Sequence, residues 1–375
     1  MIRPLFHCYT FRFILSCLSM PIVLIWRSYT LSSPFTVMKG LEPITLPPFH
    51  GILHLQYECS QEIQSRTDFR YSCHFYKSTA IHFCLFLYNK KYPIELKVYA
   101  MYSRAYVEIT NICNMNCSFC HGHSRRKRRM TADEFSCILD QLQGYTNYIY
   151  YHLMGEPLTH PELQNFLRMA SEKGFRSVIT TNGTLLPQRG HEIIAAGLHK
   201  VSISLHSFEE SDEASYRCYL DGVADFADAA TKAGILVSFR LWNRGFDEGR
   251  NDFALAYLRS RLEGPWETNT RGYRIRDKLY LEWGDRFDWP DKNAPIQGNE
   301  VICYGLRDQF GILCDGTVVP CCLDSEGTIS LGNIFQQHIG NILSSPRATA
   351  MVKGFQCRTA TEDLCRRCGF AQRFV

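Results

Sequence analysis

The sequence predicts an α/β protein, a partial (βα)6 TIM-like barrel followed by a small cysteine-rich C-terminal domain. Three observations carry this. Short β-type runs alternate with amphipathic helical segments from Ala105 onward, which implies a parallel sheet with right-handed crossovers. The six or so units fit in about two hundred residues, short of the roughly 250 of a full eight-unit barrel. The cysteines also gather in short spacings, after the first strand and again within the last 75 residues.

The elements follow in order. Strand Ala105 to Thr110 leads into a cysteine loop. Thr131-Ala132-Asp133-Glu134 is a capping box that opens a helix with Phe135, Ile138, Leu139 and Leu142 on one face. A strand is expected at Tyr148 to Met154. The next helix starts at Pro161, turns Leu163, Phe166, Leu167 and Ala170 inward, and stops at Gly174. The unit then repeats as strand Ser177 to Thr181, helix Gly190 to Ala196, strand Lys200 to Leu205, helix Gly222 to Ala233, strand Ile235 to Leu241, helix Asp252 to Leu262 and strand Lys278 to Trp283. Beyond it, Asp315-Gly316 marks a hairpin between Phe310 to Cys314 and Thr317 to Val319, and a helix is expected near His338 to Val352. The expected domains are 101–290 for the barrel and 300–375 for the C-terminal unit.

Composition bounds the function. The 375 residues are 45% hydrophobic and 21% charged, close to globular averages, which excludes collagen-like, low-complexity and wholly disordered readings. Seventeen cysteines in tight groups suit metal ligation in a reducing compartment, hence a cytoplasmic location, better than a secreted disulfide framework. The net charge is +4, but residues 101–375 carry 31 Lys/Arg against 32 Asp/Glu, so general attraction to nucleic acid is weakly supported. Arg125 to Arg129 form a basic run that lacks interleaved stacking aromatics and reads as a solvated stretch before a helix.

Residues 1–100 read differently. They are dense in Phe, Tyr, Cys and His, show no sustained period and end just before Met101. They are expected to be a poorly ordered extension outside the functional fold, or upstream sequence translated from too early a start. The run Phe13 to Trp26 resembles a signal peptide or anchor, but it is short for a span, contains Pro21 and lacks a clear cleavage site.

Active sites of such sheets lie at the carboxyl ends of the strands. There Cys113, Cys117 and Cys120 place three thiolates within eight residues, enough to hold three irons of a [4Fe-4S] cubane and leave one iron open to a small molecule. The alternatives are a zinc knuckle completed by a distant ligand such as His121 or His123, or three buried thiols. At these residues the chain resembles the radical S-adenosylmethionine (SAM) superfamily, whose CxxxCxΦC motif is matched by Cys113, Cys117, Phe119 and Cys120 over a resemblance spanning residues 104–375.

The resemblance implies that the open iron binds SAM, which is reductively cleaved to a 5'-deoxyadenosyl radical that abstracts hydrogen from substrate. It implies that Phe119 packs near the adenine and that Met154-Gly155-Glu156 stands for the family's GGE motif, with Gly155 and Glu156 reaching the SAM amino group largely through backbone. Asn182, in Thr181-Asn182-Gly183, is placed for a ribose or a turn contact. Ser204 and Arg240 fall where the family contacts the SAM ribose and carboxylate. The C-terminal unit resembles the twitch or SPASM extension, implying one auxiliary [4Fe-4S] cluster on Cys303, Cys321, Cys365 and Cys368. A zinc ribbon is the local alternative, and Cys314, Cys322 and Cys357 are left over. Cys322, adjacent to Cys321, is expected to face the other way. The partners implied are an unknown peptide or small-molecule substrate and a reductase or a flavodoxin- or ferredoxin-type electron donor. Nucleic acid and membrane are not expected. The reading from another class is a non-catalytic metal-binding or RNA-binding protein on a degenerate barrel.

Overall fold

The structure, a computed structural model, describes residues 102–210 and 212–374, of Gln372 the backbone alone, and, ahead of them, only the backbone of short strands between residues 9 and 100. The expectations placed on residues 1–100 therefore lie outside the described residues.

Six parallel strands are found where the alternating pattern places them: β1 (Arg104–Val107), β2 (Tyr148–Tyr150), β3 (Arg176–Thr181), β4 (Lys200–Ser204), β5 (Leu236–Arg244) and, after an antiparallel β6 (Glu267–Asn269) and β7 (Gly272–Arg276), β8 (Leu279–Asp285). Helices α1 (Ala132–Leu142), α2 (Leu163–Glu172), α3 (Leu186–Ala195), α4 (Glu213–Lys232) and α5 (Arg250–Arg261) connect them. The sheet is open, in the order β6-β7-β8-β5-β4-β3-β2-β1-β9-β10-β11, where β9 (Gln309–Ile312), β10 (Thr317–Val319) and β11 (Gly332–Asn333) belong to the C-terminal unit. Strand β9 pairs parallel with β1, so the cysteine-rich unit continues the barrel sheet at the edge that carries the cysteine loop.

Strand alternation sorts the two faces. Ala105 and Val107, Ile149, Val201 and Ile203, Val237 and Phe239, and Leu279 and Leu281 pack against the helices in one core. Their neighbours Arg104, Tyr106, Tyr150, Lys200, Ser202, Ser238, Arg240, Tyr280 and Glu282 take the other, inner face. Helix α1 starts as expected, with Thr131 accepting from the Glu134 N–H while the Glu134 side chain accepts from the Thr131 N–H. Its Phe135 stacks on Phe166 of α2 at 4.4 Å between ring centres, a contact whose truncation costs about 3–5 kcal/mol.

Several boundaries differ from expectation. Strand β2 ends at Tyr150 instead of Met154 because the chain turns away there and the Met154 N–H donates to Glu108 at 3.2 Å. Helix α3 begins at Leu186, and Gly190 lies inside it where a Cβ would meet the Phe226 ring at 2.5 Å, so this glycine permits close helix packing and does not start the helix. Helix α4 begins nine residues before Gly222, capped by Asp212 accepting from Ser215 N–H. The single helix expected near His338 to Val352 is two, α6 (Ile339–Leu343) and α7 (Pro346–Gln356), because Ser345 caps a new start with Pro346 in its first turn. Among the described residues no helix is long and apolar enough to cross a membrane.

Candidate functional site

The cysteine loop is closed at its base by side chains that the chain supplies on either side of it. The Asn111 side chain donates to Arg126 O at 2.9 Å and accepts from Arg128 N–H at 2.8 Å, and Thr110 donates to Arg128 O at 3.2 Å. At its tip, Glu209 accepts from both the backbone N–H and the hydroxyl of Ser118, at 2.8 and 2.6 Å. Between these, Asn114 donates to Thr184 at 2.8 Å and accepts from the Asn182 amide at 2.9 Å, which ties the loop to the end of β3. The three thiols share this one loop, in which Cys120 N–H donates to Cys117 O at 3.1 Å, and each of Cys113 and Cys117 lies within electrostatic range of the other loop cysteines. Burial, with Glu209 and the other thiols adding to it, pushes Cys117 up to about 12. A thiolate there needs compensating positive charge, which iron supplies.

The remaining expected contacts surround the loop. Phe119 lies 4.9 Å from the His206 ring, whose Nδ1 is 3.0 Å from Arg240 O. Gly155 has φ +78°, and a Cβ on it would come 2.4 Å from Thr110 O, so the strand-two turn passes directly beneath the loop. The Glu156 side chain is buried and fully engaged, accepting from Asn182 N–H at 2.7 Å and Leu158 N–H at 3.0 Å. Burial raises its carboxyl to about 7, against those backbone bonds. Asn182 makes the turn contact, accepting from Thr184 N–H at 3.0 Å, and its side chain is committed to Asn114. Ser204, Arg240 and Glu282 stand side by side across β4, β5 and β8.

A second thiol group lies in the C-terminal unit. Cys321 senses Cys303, Cys368 and Cys365, and Cys365 senses Cys303 and Cys368, all with thiols raised by burial. Gly305 N–H donates to Cys303 Sγ at 3.3 Å, and a Cβ on Gly305 would touch that sulfur and Cys321 Cβ. Cys322 is also in range of Cys321 and Cys368, but its thiol turns to Tyr106 on the inner face of the sheet. Cys314 is buried against Ile109 O and Arg128 O, and Cys357 is exposed at the end of α7. Among the described residues no three His, Cys, Asp or Glu side chains are grouped to hold a single metal ion. A cubane takes one thiolate per iron, and Cys303, Cys321, Cys365 and Cys368 are four such thiols in one unit.

The pattern in the sequence left Glu108 unnoticed. Its buried carboxylate accepts from Arg125 at 2.8 and 2.7 Å, Met154 N–H at 3.2 Å and Cys314 N–H at 3.1 Å, joining loop, strand-two turn and C-terminal hairpin. Its only signal was a charged residue following an apolar strand. The basic run is correspondingly structural in part, since Arg128 also pairs with Glu134 at 2.6 Å.

The sequence profile of the Radical SAM superfamily matches residues 107–243, and that of the SPASM iron-sulfur cluster-binding domain matches residues 303–369. Together they cover more than half of the chain, and every cysteine of the two thiol groups lies within them. The chain belongs to the radical SAM superfamily. As a radical SAM protein with a SPASM domain it takes [4Fe-4S] clusters and SAM as cofactors. It is 32% identical over 114 residues to the AdoMet-dependent heme synthase of Methanosarcina barkeri, covering 29% of this chain and 33% of that protein. It is 30% identical over 163 residues to a probable GTP 3',8-cyclase of Methanocella arvoryzae, covering 41% and 52%. The chain spans about a third of the length of the first curated relatives it matches. Among solved structures it resembles BtrN in complex with AdoMet and 2-DOIA, at 21% identity, TM-score 0.47 and coverage of 72% and 94%. It also resembles anSMEcpe with bound AdoMet, at 14% identity, TM-score 0.49 and coverage of 71% and 88%.

Proposed function

We propose that this protein is an enzyme that reductively cleaves SAM and abstracts a hydrogen atom from a peptide or small-molecule substrate. The observation that carries this is the placement of Cys113, Cys117 and Cys120 on one strapped loop that follows the carboxyl end of β1. These three would hold the SAM-binding cluster, and Cys303, Cys321, Cys365 and Cys368 one auxiliary cluster. When bound, the first cluster delivers the electron that splits SAM into methionine and the 5'-deoxyadenosyl radical.

The chain's own residues position that chemistry. Phe119, braced by His206, offers an aromatic face for the adenine. Gly155 and Glu156 serve SAM through their backbone, since the Glu156 carboxylate is committed to Asn182 and Leu158. Asn182 acts by fixing Asn114 and hence the loop. Ser204 and Arg240, adjacent on β4 and β5, would meet the ribose and carboxylate. Four protein thiolates on the auxiliary cluster leave it no open iron, which suits electron transfer or structure. The electron donor would be a reductase or a flavodoxin- or ferredoxin-type protein, in a reducing cytoplasm.

Anaerobic incubation of the reduced, reconstituted protein with SAM should release 5'-deoxyadenosine. Cys113→Ala, Cys117→Ala and Cys120→Ala should each abolish that release and keep native circular dichroism. Release by any of the three overturns the assignment.

A further inference from the structure

The inner face of the sheet carries more positive charge than its own carboxylates balance. Arg104 opens β1 and Lys200 opens β4, while Arg240 lies midway along β5, level with Ser204 at the end of β4. Lys200 is within electrostatic range of Arg240 and Arg104, and Arg271 adds a further cation near it. The carboxylate that Lys200 and Arg240 sense is Glu282. Neither Arg104, Lys200, Arg240 nor Glu282 forms an ion pair among the described residues, whereas the nearby Glu108 is already matched by Arg125. Arg104 sits 5.4 Å over the Tyr150 ring and within electrostatic range of Tyr106, and Arg240 lies over the Trp242 ring at 3.4 Å.

The polar atoms between these groups are left without partners. The Nε atoms of Arg104 and Arg240, Nδ1 of His152 and the Ser238 hydroxyl are all buried and make no hydrogen bond. Buried donors without acceptors and buried cations without counter-charges are each unfavourable, and one anion lying on this wall relieves both. Hydroxyls of Tyr106 and Tyr150 and the stacked guanidinium planes furnish further donors to oxygen atoms.

We propose that this wall, centred on Arg104 and Lys200, binds an anionic oxygen group of the substrate, a carboxylate or a phosphate. The inference rests on the SAM-dependent reading above and names the substrate class for it. Strand geometry supports the arrangement. Lys200 and Ser204 are four residues apart on β4, about 13 Å at strand rise, so an anion held by Lys200 lies a small molecule's length from Ser204 at the strand's carboxyl end. Binding by the remote end leaves the rest of the substrate directed at the strand ends where SAM is held.

The test uses the full, anaerobically reconstituted chain and calorimetric titration with two probes, succinate and inorganic phosphate. The wild-type protein should bind at least one, and the probe it prefers tells carboxylate from phosphate. Arg104→Gln and Lys200→Gln should each weaken that binding by about tenfold or more, while substrate-free release of 5'-deoxyadenosine stays within about twofold of wild type. Glu282→Gln, which removes the opposing charge, should tighten it several-fold, an outcome that a misfolded protein cannot give. Binding of neither probe by wild type, or unchanged binding in both cation variants, overturns the inference. So does loss of 5'-deoxyadenosine release in folded Arg104→Gln or Lys200→Gln, because the cations would then be serving SAM. Failure of wild type to cleave SAM defeats the proposed reaction instead and leaves the binding comparison to be decided on its own.

Discussion

The guanidinium of Arg125 donates to both carboxylate oxygens of Glu108, at 2.8 and 2.7 Å, and the pair fastens the far limb of the cysteine loop to β1. Glu108 is fully buried and Arg125 nearly so, with side-chain exposures of 0% and 13%. The same arginine donates through Nε to Ser325 O at 2.7 Å, which brings the C-terminal unit into the contact. Removing one partner of such a pair leaves a buried charge unmatched. Arg125→Met should therefore cost about 3–5 kcal/mol in urea unfolding, with Arg125→Met/Glu108→Gln recovering part of it. A cost below about 1 kcal/mol would place the pair among weak surface contacts.

Iron content distinguishes one auxiliary cluster from two. On the proposed ligand sets, three loop cysteines and four C-terminal ones would hold about eight irons per chain, four per cubane. The double variant Cys365→Ala/Cys368→Ala should lose about half of this and retain the cluster on the loop. About twelve irons in wild type, or full retention in the double variant, would show that Cys322 or another leftover cysteine takes part.

Gly155 and Gly122 separate backbone strain from contact. Both have positive φ, +78° and +69°, but a Cβ on Gly155 strikes Thr110 O at 2.4 Å whereas one on Gly122 meets nothing within 4 Å. Each alanine variant pays about 1–2 kcal/mol for conformation. Only Gly155→Ala should also displace the cysteine loop, seen as a raised KM for SAM. Equal KM values in the two variants would refute this.

Glu156 sets a pH dependence. Its carboxyl is raised by burial from 4.5 to about 7, so the folded protein holds a proton that the unfolded chain releases. The stabilisation from this proton is complete below pH 4.5, declines as pH rises and is gone above about 7, a span of roughly 3 kcal/mol. Glu156→Gln should flatten unfolding free energy between those pH values. A slope unchanged in the variant would assign the effect to other groups.

What was legible in the sequence was local. The capping box at Thr131 and Glu134, the apolar faces of α1 and α2, and the hairpin at Asp315-Gly316 could be read because each is decided by residues a few positions apart. The start of α4 was missed because Gly222 reads as a beginning, while the buried faces of Tyr216 and Tyr219 that carry the helix past it are tertiary. Spacing likewise isolated the three loop cysteines and the terminal Cys365 and Cys368.

The sequence by itself determined the order of strands and helices and the close spacing of the loop cysteines and of Cys365 and Cys368, because periodicity and short spacings are properties of neighbouring residues. Only the tertiary structure decided which distant residues meet. It brought Cys303 and Cys321 to Cys365 and Cys368, turned Cys322 to Tyr106, engaged the side chains of Glu156 and Asn182 within the loop network, and joined β9 to β1. It also gathered Arg104, Lys200 and Arg240 from three strands onto one face. Sheet register sets those meetings, and register depends on packing across the whole sheet, to which no single stretch of sequence has access.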